Sequence, residues 1–351
     1  MPSICVLLII LFYFWINKIS YQGFYNGSKT DHFDGKKFSN IKRNNERNDD
    51  KIYLLFLKRL LSGKLPKWPK NVPVHQVNPS KILQNEVDSI FLINHSTMLI
   101  KVSCYTILTD PIWSQRTSPV QFLGPKRKAA PGIKIEDLPK IDFILISHDH
   151  YDHLDCNTIR QLIQNNDPVF LVGLGVREVL LKIGVNGQRI IELDWWQEYK
   201  HIDIGNSLVI TFVPAQHFSG RFINNENTTL WGGFVIKSHN NKTIYFAGDT
   251  GYDEDQFLLI KRNIGVIDVS LLPIGAYKPD SFRYVHMNPS EAVKASIILG
   301  SKVNIPIHFG TFILSFEDYN EPLNDLEAAL VYYKLAMGHF TILKNGEHCL
   351  Y

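Results

Sequence analysis

The chain has 351 residues, 45% of them hydrophobic and 20% charged, with a formal net charge of +3. That length holds one large domain or two average ones, and this balance of apolar and charged residues excludes wholesale disorder. Weak basicity without a Lys/Arg block argues against electrostatic binding along nucleic acid, and the scattered Cys5, Cys104, Cys156 and Cys349 argue against a disulfide framework or a zinc ribbon.

At the amino terminus Ile4 to Ile16 form an unbroken apolar run, ICVLLIILFYFWI, with Lys18 just behind it. The run lacks the basic n-region of a cleaved signal and is shorter than the ~20 residues that span a bilayer comfortably as a helix. Residues 1–20 are therefore expected to be a hydrophobic anchor or signal-anchor, with a cleaved signal as the competing reading. Lys29, Lys36, Lys37, Lys42 and Arg43 follow, so the positive-inside tendency predicts a membrane-associated protein with its remaining chain on the cytoplasmic side. Residues 21–50 are rich in Asn, Asp, Lys and Gly and read as a polar linker. In KIYLLFLKRLLSGKL, residues 51–65, Leu54, Phe56, Leu57, Leu60 and Leu61 can share one helical face while Lys58, Arg59 and Lys64 stay wet. This predicts an amphipathic helix that either packs on the domain or lies in a membrane interface.

Beyond Pro79 the texture changes to short apolar runs bounded by turn residues: SIFLINH, MLIKVSCYTILTD, IDFILISH, PVFLVG, SLVITFVPA, GGFVIK, KTIYFAGD, VIDVSLLPI and VNIPIHFG. These predict strands of a large sheet system. Helical patterns, CNTIRQLIQNN, REVLLKIG, NPSEAVKASIILG and EPLNDLEAALVYYKLA, lie between and after them, so a mixed α and β architecture is expected. No composition break divides residues 51–351, which are read as one catalytic domain including the amphipathic helix.

The densest chemical signal is ISHDHYDHLD, residues 146–155, directly after the apolar run IDFIL. A strand that ends on His148, His150, Asp152 and His153 delivers them to the rim of a sheet, where active sites collect. Imidazole nitrogens and carboxylate oxygens suit Zn²⁺, and an N/O donor set that leaves positions for water is catalytic in type. Three later runs have the same form. VITFVPAQH ends at His217, TIYFAGDTG delivers Asp249, and VNIPIHFGT delivers His308. Two metal ions ~3.5–4 Å apart share a carboxylate readily, and Asp249 is the group able to bridge them.

This order of ligands resembles the metallo-β-lactamase superfamily, which implies an α+β fold, the four-layer αββα sandwich, with a dinuclear site between its sheets. Within it the chain is similar to the N-acylphosphatidylethanolamine-hydrolysing phospholipases D. The similarity rests on NHST at 94–97, LTDPIWSQRTSP at 108–119, QFLGPKR at 121–127, LISHDHYDHLD at 145–155, IELDWW at 191–196, AGDTGY at 247–252, PIGAY at 273–277 and IHFGTF at 307–312. It runs from about Phe38 to the carboxyl end and implies two Zn²⁺ per chain. His148, His150 and His217 would hold one, Asp152, His153 and His308 the other, and Asp249 would bridge them. His286 would lie near a substrate phosphate, and Gln121, Phe122 and Tyr151 around the headgroup amide and acyl chain. His95 matches the pattern as support for the ligands. The chain departs from the family at Asn94, where Gly is usual, at Asp149, where Asn is usual, and at Phe122, where an aromatic hydroxyl is expected.

The activity implied is hydrolysis of an N-acyl phosphatidylethanolamine to phosphatidic acid and an N-acylethanolamine, with Asp249, His286 and Asp152 as catalytic residues. The partners implied are a membrane phospholipid and the bilayer, with a second copy of the chain as a further candidate and no nucleic acid bound as a partner. The alternative keeps the metal site and changes the substrate to a lactone, a soluble phosphodiester or RNA.

Overall fold

The computed structural model describes residues 22–42, 66–80, 87–221 and 225–351. The expected anchor at 1–20 and the amphipathic helix at 51–65 lie outside the described residues. Two sheets form the frame. One has seven strands: β1 (Ser89–Asn94), β2 (Thr97–Val102), β3 (Tyr105–Thr109), β4 (Phe143–Ile146), β5 (Val169–Gly173), β6 (Ile190–Leu193) and β13 (His348–Leu350), in the order β13-β1-β2-β3-β4-β5-β6. The other has six: β7 (Glu198–Asp203), β8 (Asn206–Val213), β9 (Gly233–Ser238), β10 (Thr243–Phe246), β11 (Val269–Pro273) and β12 (Val303–Ile307), in the order β12-β11-β10-β9-β8-β7.

Alternation along the strands builds the layers, because successive side chains point to opposite faces. In β1 and β2 Ile90, Leu92, Met98 and Ile100 enter the core between the sheets, where they meet Leu208, Ile210 and Phe212 of β8 and Phe234 and Ile236 of β9. Phe91, Ile93 and Leu99 point the other way, onto Ile159 and Leu162 of helix α1 (Cys156–Asn165) and Val179 and Leu180 of α2 (Arg177–Lys182). On the far side, Val235 and Tyr245 pack under α3 (Glu254–Ile264), α4 (Pro289–Leu299) and α5 (Glu321–Tyr332) through Phe257, Ile260, Val293, Leu299, Leu326 and Leu330. The result is the expected α+β sandwich with helices outside both sheets. Strands covered on both faces carry near-continuous apolar runs, as FILI of β4 between parallel β3 and β5 does.

Four differences from the sequence reading have local causes. The run MLIKVSCYTILTD is two strands, broken where Ser103 takes φ +55° and donates its N–H to Asp88 Oδ1 at 2.6 Å. Strands β6, β7 and β13 were not expected; all three lie at sheet edges, and the exposed polar positions of β7, EYKHID, which pairs with β8 alone, suit that place. Helix α3 was missed as well, although Asp253 caps it and Phe257 and Ile260 give it a buried face. The polar-linker reading of 21–50 does not hold over residues 22–42, which pack against the domain: Phe33 and Phe38 are buried in the intersheet core, and Phe38 donates its N–H to Asn227 O at 2.8 Å. Two aromatic side chains in a polar stretch outweigh its average composition, because each buries a large apolar area.

Candidate metal centre

Every expected metal ligand lies beyond the carboxyl end of a strand: the 148–153 run after β4, His217 after β8, Asp249 after β10 and His308 after β12. Strand ends from both sheets meet because small residues let backbones approach. Gly248 has φ +61°, and a Cβ there would stand 2.6 Å from Ser147 Cβ, while Gly232 donates its N–H to Ser147 O at 3.0 Å. His95, Asp110 and His308 have φ of +50°, +34° and +61°, a left-handed conformation that costs non-glycine residues energy. Cross-connections hold it: His308 N–H donates to His95 O at 3.0 Å, and His95 N–H to Thr311 Oγ1 at 3.1 Å.

The donors gather in two groups. His148, His150 and His217 bring one ring nitrogen each to a common point, with His148 Nε2 2.8 Å and His217 Nε2 3.3 Å from His150 Nδ1. Asp152, His153 and His308 form the other, with Asp152 Oδ2 3.3 Å from His153 Nε2 and 3.4 Å from His308 Nε2. Asp249 Oδ2 lies between the groups, 3.0 Å from His308 Nε2, 3.2 Å from His153 Nε2 and 3.8 Å from His217 Nε2. His153 Nε2 and Asp249 Oδ1 are buried without a hydrogen-bond partner. Two unpartnered buried atoms at the point where the other donors converge fit a metal pair, since a cation would satisfy atoms that otherwise bear a desolvation penalty. The all-N/O set also matches an open, catalytic type of centre.

Burial drives the imidazoles of His148 and His217 well below their ordinary range and that of His150 down to about 3, so all three are neutral and ready to ligate. Burial acts the same way on His153 and His308, but the carboxylates win there. Asp249, Asp152 and Asp110 hold His153 well above its ordinary range, and Asp249 and Asp152 raise His308 to about 9. Against the opposing effect of burial, the same histidines hold Asp152 and Asp249 well below the usual carboxylate range.

Outer partners orient the ligands. Asp110 Oδ2 lies 2.6 Å from His153 Nδ1 and also accepts from Ser147 Oγ at 2.6 Å, and Ser147 Oγ is 2.9 Å from His148 Nδ1. His217 Nδ1 donates to Val285 O at 2.9 Å. His95 Nε2 is 3.0 Å from Asp152 Oδ2, and its ring lies in the same donor group as Asp152, His153 and His308. His286 sits at the open side, its Nδ1 3.7 Å from Asp249 Oδ2, and burial pushes its imidazole down to about 4. The capping box of α4, in which Asn288 and Glu291 bond reciprocally, fixes the chain two residues later.

Tyr151 lies beside this centre, its hydroxyl donating to Arg221 O at 2.8 Å and its ring 4.1 Å from the Arg221 guanidinium carbon. Gln121 and Phe122 are not drawn into the cluster. The Gln121 amide is tied to the backbone of Arg116 on an exposed loop, and Phe122 is 67% exposed. Asp149 turns away from the ligands: its Oδ1 accepts from Gly220 N at 2.8 Å, and Arg221 opposes the upward push of burial on its carboxyl. Asp110 and Ser147 were not singled out in the sequence, although both lie in runs quoted there, LTDPIW and ISHDH.

Comparison with known proteins agrees with this geometry. A family model described as a β-lactamase superfamily domain matches residues 105–309. The chain belongs to the metallo-β-lactamase superfamily. An uncharacterized protein of Mycobacterium tuberculosis H37Rv is 44% identical over 241 residues, 67% of this chain and 62% of that one, so the chain spans under two thirds of that relative. N-acyl-phosphatidylethanolamine-hydrolyzing phospholipase D 1 of Caenorhabditis elegans is 33% identical over 286 residues, 79% of this chain and 80% of the worm protein. Among solved structures, Igni18, a metallo hydrolase of the archaeon Ignicoccus hospitalis, superposes with a TM-score of 0.55 at 23% identity, over 76% of this chain and 98% of its own. That likeness speaks for the fold alone. The superfamily fold and the His/Asp clusters together fit a binuclear metal centre.

Proposed function

We propose that the chain is a zinc-dependent phosphodiesterase of phospholipase D type that hydrolyses N-acyl phosphatidylethanolamine. The observation that carries the reading is the 33% identity to the worm phospholipase D across most of both chains, combined with a full set of seven donors at the sheet rim. Water would add to phosphorus, the bond from phosphorus to the ethanolamine oxygen would break, and phosphatidic acid and an N-acylethanolamine would leave. Two divalent ions in this cradle would acidify water and neutralise phosphate charge.

The chain's own groups have distinct tasks. His148, His150 and His217 supply neutral nitrogen donors, while Asp152, His153 and His308 supply one carboxylate and two imidazoles. Asp249 faces both groups through one oxygen and keeps them in register. His286, neutral at pH 7, orients a phosphate oxygen by donating an N–H, a role that needs no proton loss. A membrane lipid as substrate also gives the apolar run at 4–16 and the basic amphipathic run at 51–65 one purpose, holding the site at a bilayer from its cytoplasmic side. Among the described residues no helix is long and apolar enough to cross a membrane, so attachment would fall to those two segments.

The test is a vesicle assay with N-acyl phosphatidylethanolamine, read by mass spectrometry for both products, beside an Asp249→Asn control and arms with soluble phosphodiesters and lactones. Release of both products by the wild type alone is expected. Turnover of only the soluble compounds would overturn the lipid reading. Deleting residues 1–20 should weaken membrane recovery and spare hydrolysis of detergent-dispersed lipid; equal loss of both would count against the anchor.

A further inference from the structure

Residues 22–42 form a strap that crosses the domain and ends on a metal ligand. Its fixings begin far from the centre, where Tyr25 donates its N–H to Thr228 O at 3.0 Å and Thr228 Oγ1 donates to Gly23 O at 2.8 Å. Phe33 and Phe38 then enter the intersheet core with their ring centroids 4.5 Å apart. Beside them His32 stacks on Trp195 at 4.4 Å and is flanked by Asp31 and Asp194, at 2.6 and 2.8 Å from its two ring nitrogens. The strap is thus a built part of the domain, held by apolar and ionic contacts.

Its last fixing is Asn40. The Asn40 Nδ2 donates to His217 O at 2.9 Å, and Asn40 Oδ1 accepts from His217 N at 3.1 Å, across 177 positions of sequence. The same Oδ1 accepts from Trp231 Nε1 at 3.0 Å, and Trp231 Nε1 also donates to Ala215 O at 2.9 Å. Both main-chain polar groups of His217 are therefore satisfied by one amide side chain. With Nδ1 held by Val285 O, the remaining polar atom, Nε2, is the one that faces His150 and Asp249. No strand ladder does this work, because His217 lies four residues past the end of β8. An amide suits this part because it donates and accepts from one planar group, whereas a carboxylate accepts only and an aliphatic side chain does neither.

We propose that Asn40 is a positioning residue for the metal centre, acting through His217, so that the strap is part of the hydrolase site. The inference rests on the binuclear reading of the donor cluster and is independent of the substrate. An outer partner of this kind typically contributes ~10–100-fold in metal affinity. Asn40→Leu keeps the shape and removes both hydrogen bonds to His217 together with the one from Trp231, and Asn40→Asp keeps acceptance from His217 N and Trp231 Nε1 while losing donation to His217 O.

The test uses the full chain loaded with zinc or cobalt, dialysed against graded chelator, with metal equivalents measured by mass spectrometry and the visible spectrum recorded for the cobalt form. The wild type should retain about two equivalents. Asn40→Leu should lose one of the two at ~10–100-fold lower chelator strength, with a changed cobalt band, while the second equivalent leaves as in the wild type. Asn40→Asp should fall between. Phe33→Leu, which loosens the strap far from His217, should lower the thermal midpoint and leave the order of metal loss unchanged. If Asn40→Leu releases both ions together, or neither earlier than the wild type, the assignment to His217 fails. A wild type that binds no metal would instead remove the binuclear reading on which the inference stands.

Discussion

The two halves of the metal centre are built from different chemistry. His148, His150 and His217 are all imidazoles that burial keeps neutral. Asp152, His153 and His308 combine a carboxylate with two imidazoles whose protons are stabilised by neighbouring Asp249, Asp152 and, for His153, Asp110. The first half awaits a cation with no proton to displace, whereas the second must release protons as a cation enters. One centre can thus bind its two ions with different pH dependence, and Asp249 is the element common to both.

The largest expected effect comes from removing that common element. Asp249→Ala should abolish retention of both ions and reduce hydrolysis by more than the ~10–100-fold typical of losing an outer partner. Metal analysis of the purified variant checks it, and a variant still holding two ions would break the idea of a shared carboxylate. Next, Asp110→Asn should weaken metal at the half holding His153 by ~10–100-fold, because His153 loses its 2.6 Å carboxylate partner, and disturb the imidazole half less, since Asp110 reaches His148 only through Ser147. Competitive zinc titration with a chromophoric chelator should then show one strongly weakened step and one changed less.

His286→Asn should retain both ions and lower kcat by ~100-fold, the lower end of what losing one hydrogen-bond donor to transition-state charge costs. An unchanged kcat would withdraw its phosphate-orienting role. The metal-free protein should also respond to pH in two directions. His153 and His308 have raised folded values, so their stability is full below about 6.5 and fades as pH rises through about 9 for His308. His148, His150 and His217 have depressed folded values, so stability is lost as pH falls from about 6.5 towards about 3 for His150. Thermal midpoints of chelated protein between pH 5 and pH 10 should therefore peak near ~6.5 and decline on both sides. Adding zinc should move that optimum upward, since the cation replaces the protons of His153 and His308.

Much of this was readable from residue order. The nine apolar runs correspond to strands or strand pairs, and the ligands follow strand ends as expected, because buried strands need unbroken apolar stretches and polar ligands can only appear where those stretches stop. Less readable were β7, which carries no apolar run, and residues 22–42, whose polar composition hides Phe33 and Phe38. Asp110 stood in plain view within LTDPIW, yet its partner His153 lies 43 positions away and only strand pairing brings the two together.

What the amino-acid sequence determined by itself is which side chains exist to bind metal and which strand ends present them, since donor chemistry and apolar periodicity are local properties. Tertiary structure alone decided how those donors divide into an all-imidazole half and a half that contains a carboxylate, and which outer groups orient them. Desolvation and charge coupling depend on what surrounds a side chain in space. Asn40 on His217 shows the point: the pairing spans 177 positions and joins a strap to a strand end that no local pattern connects.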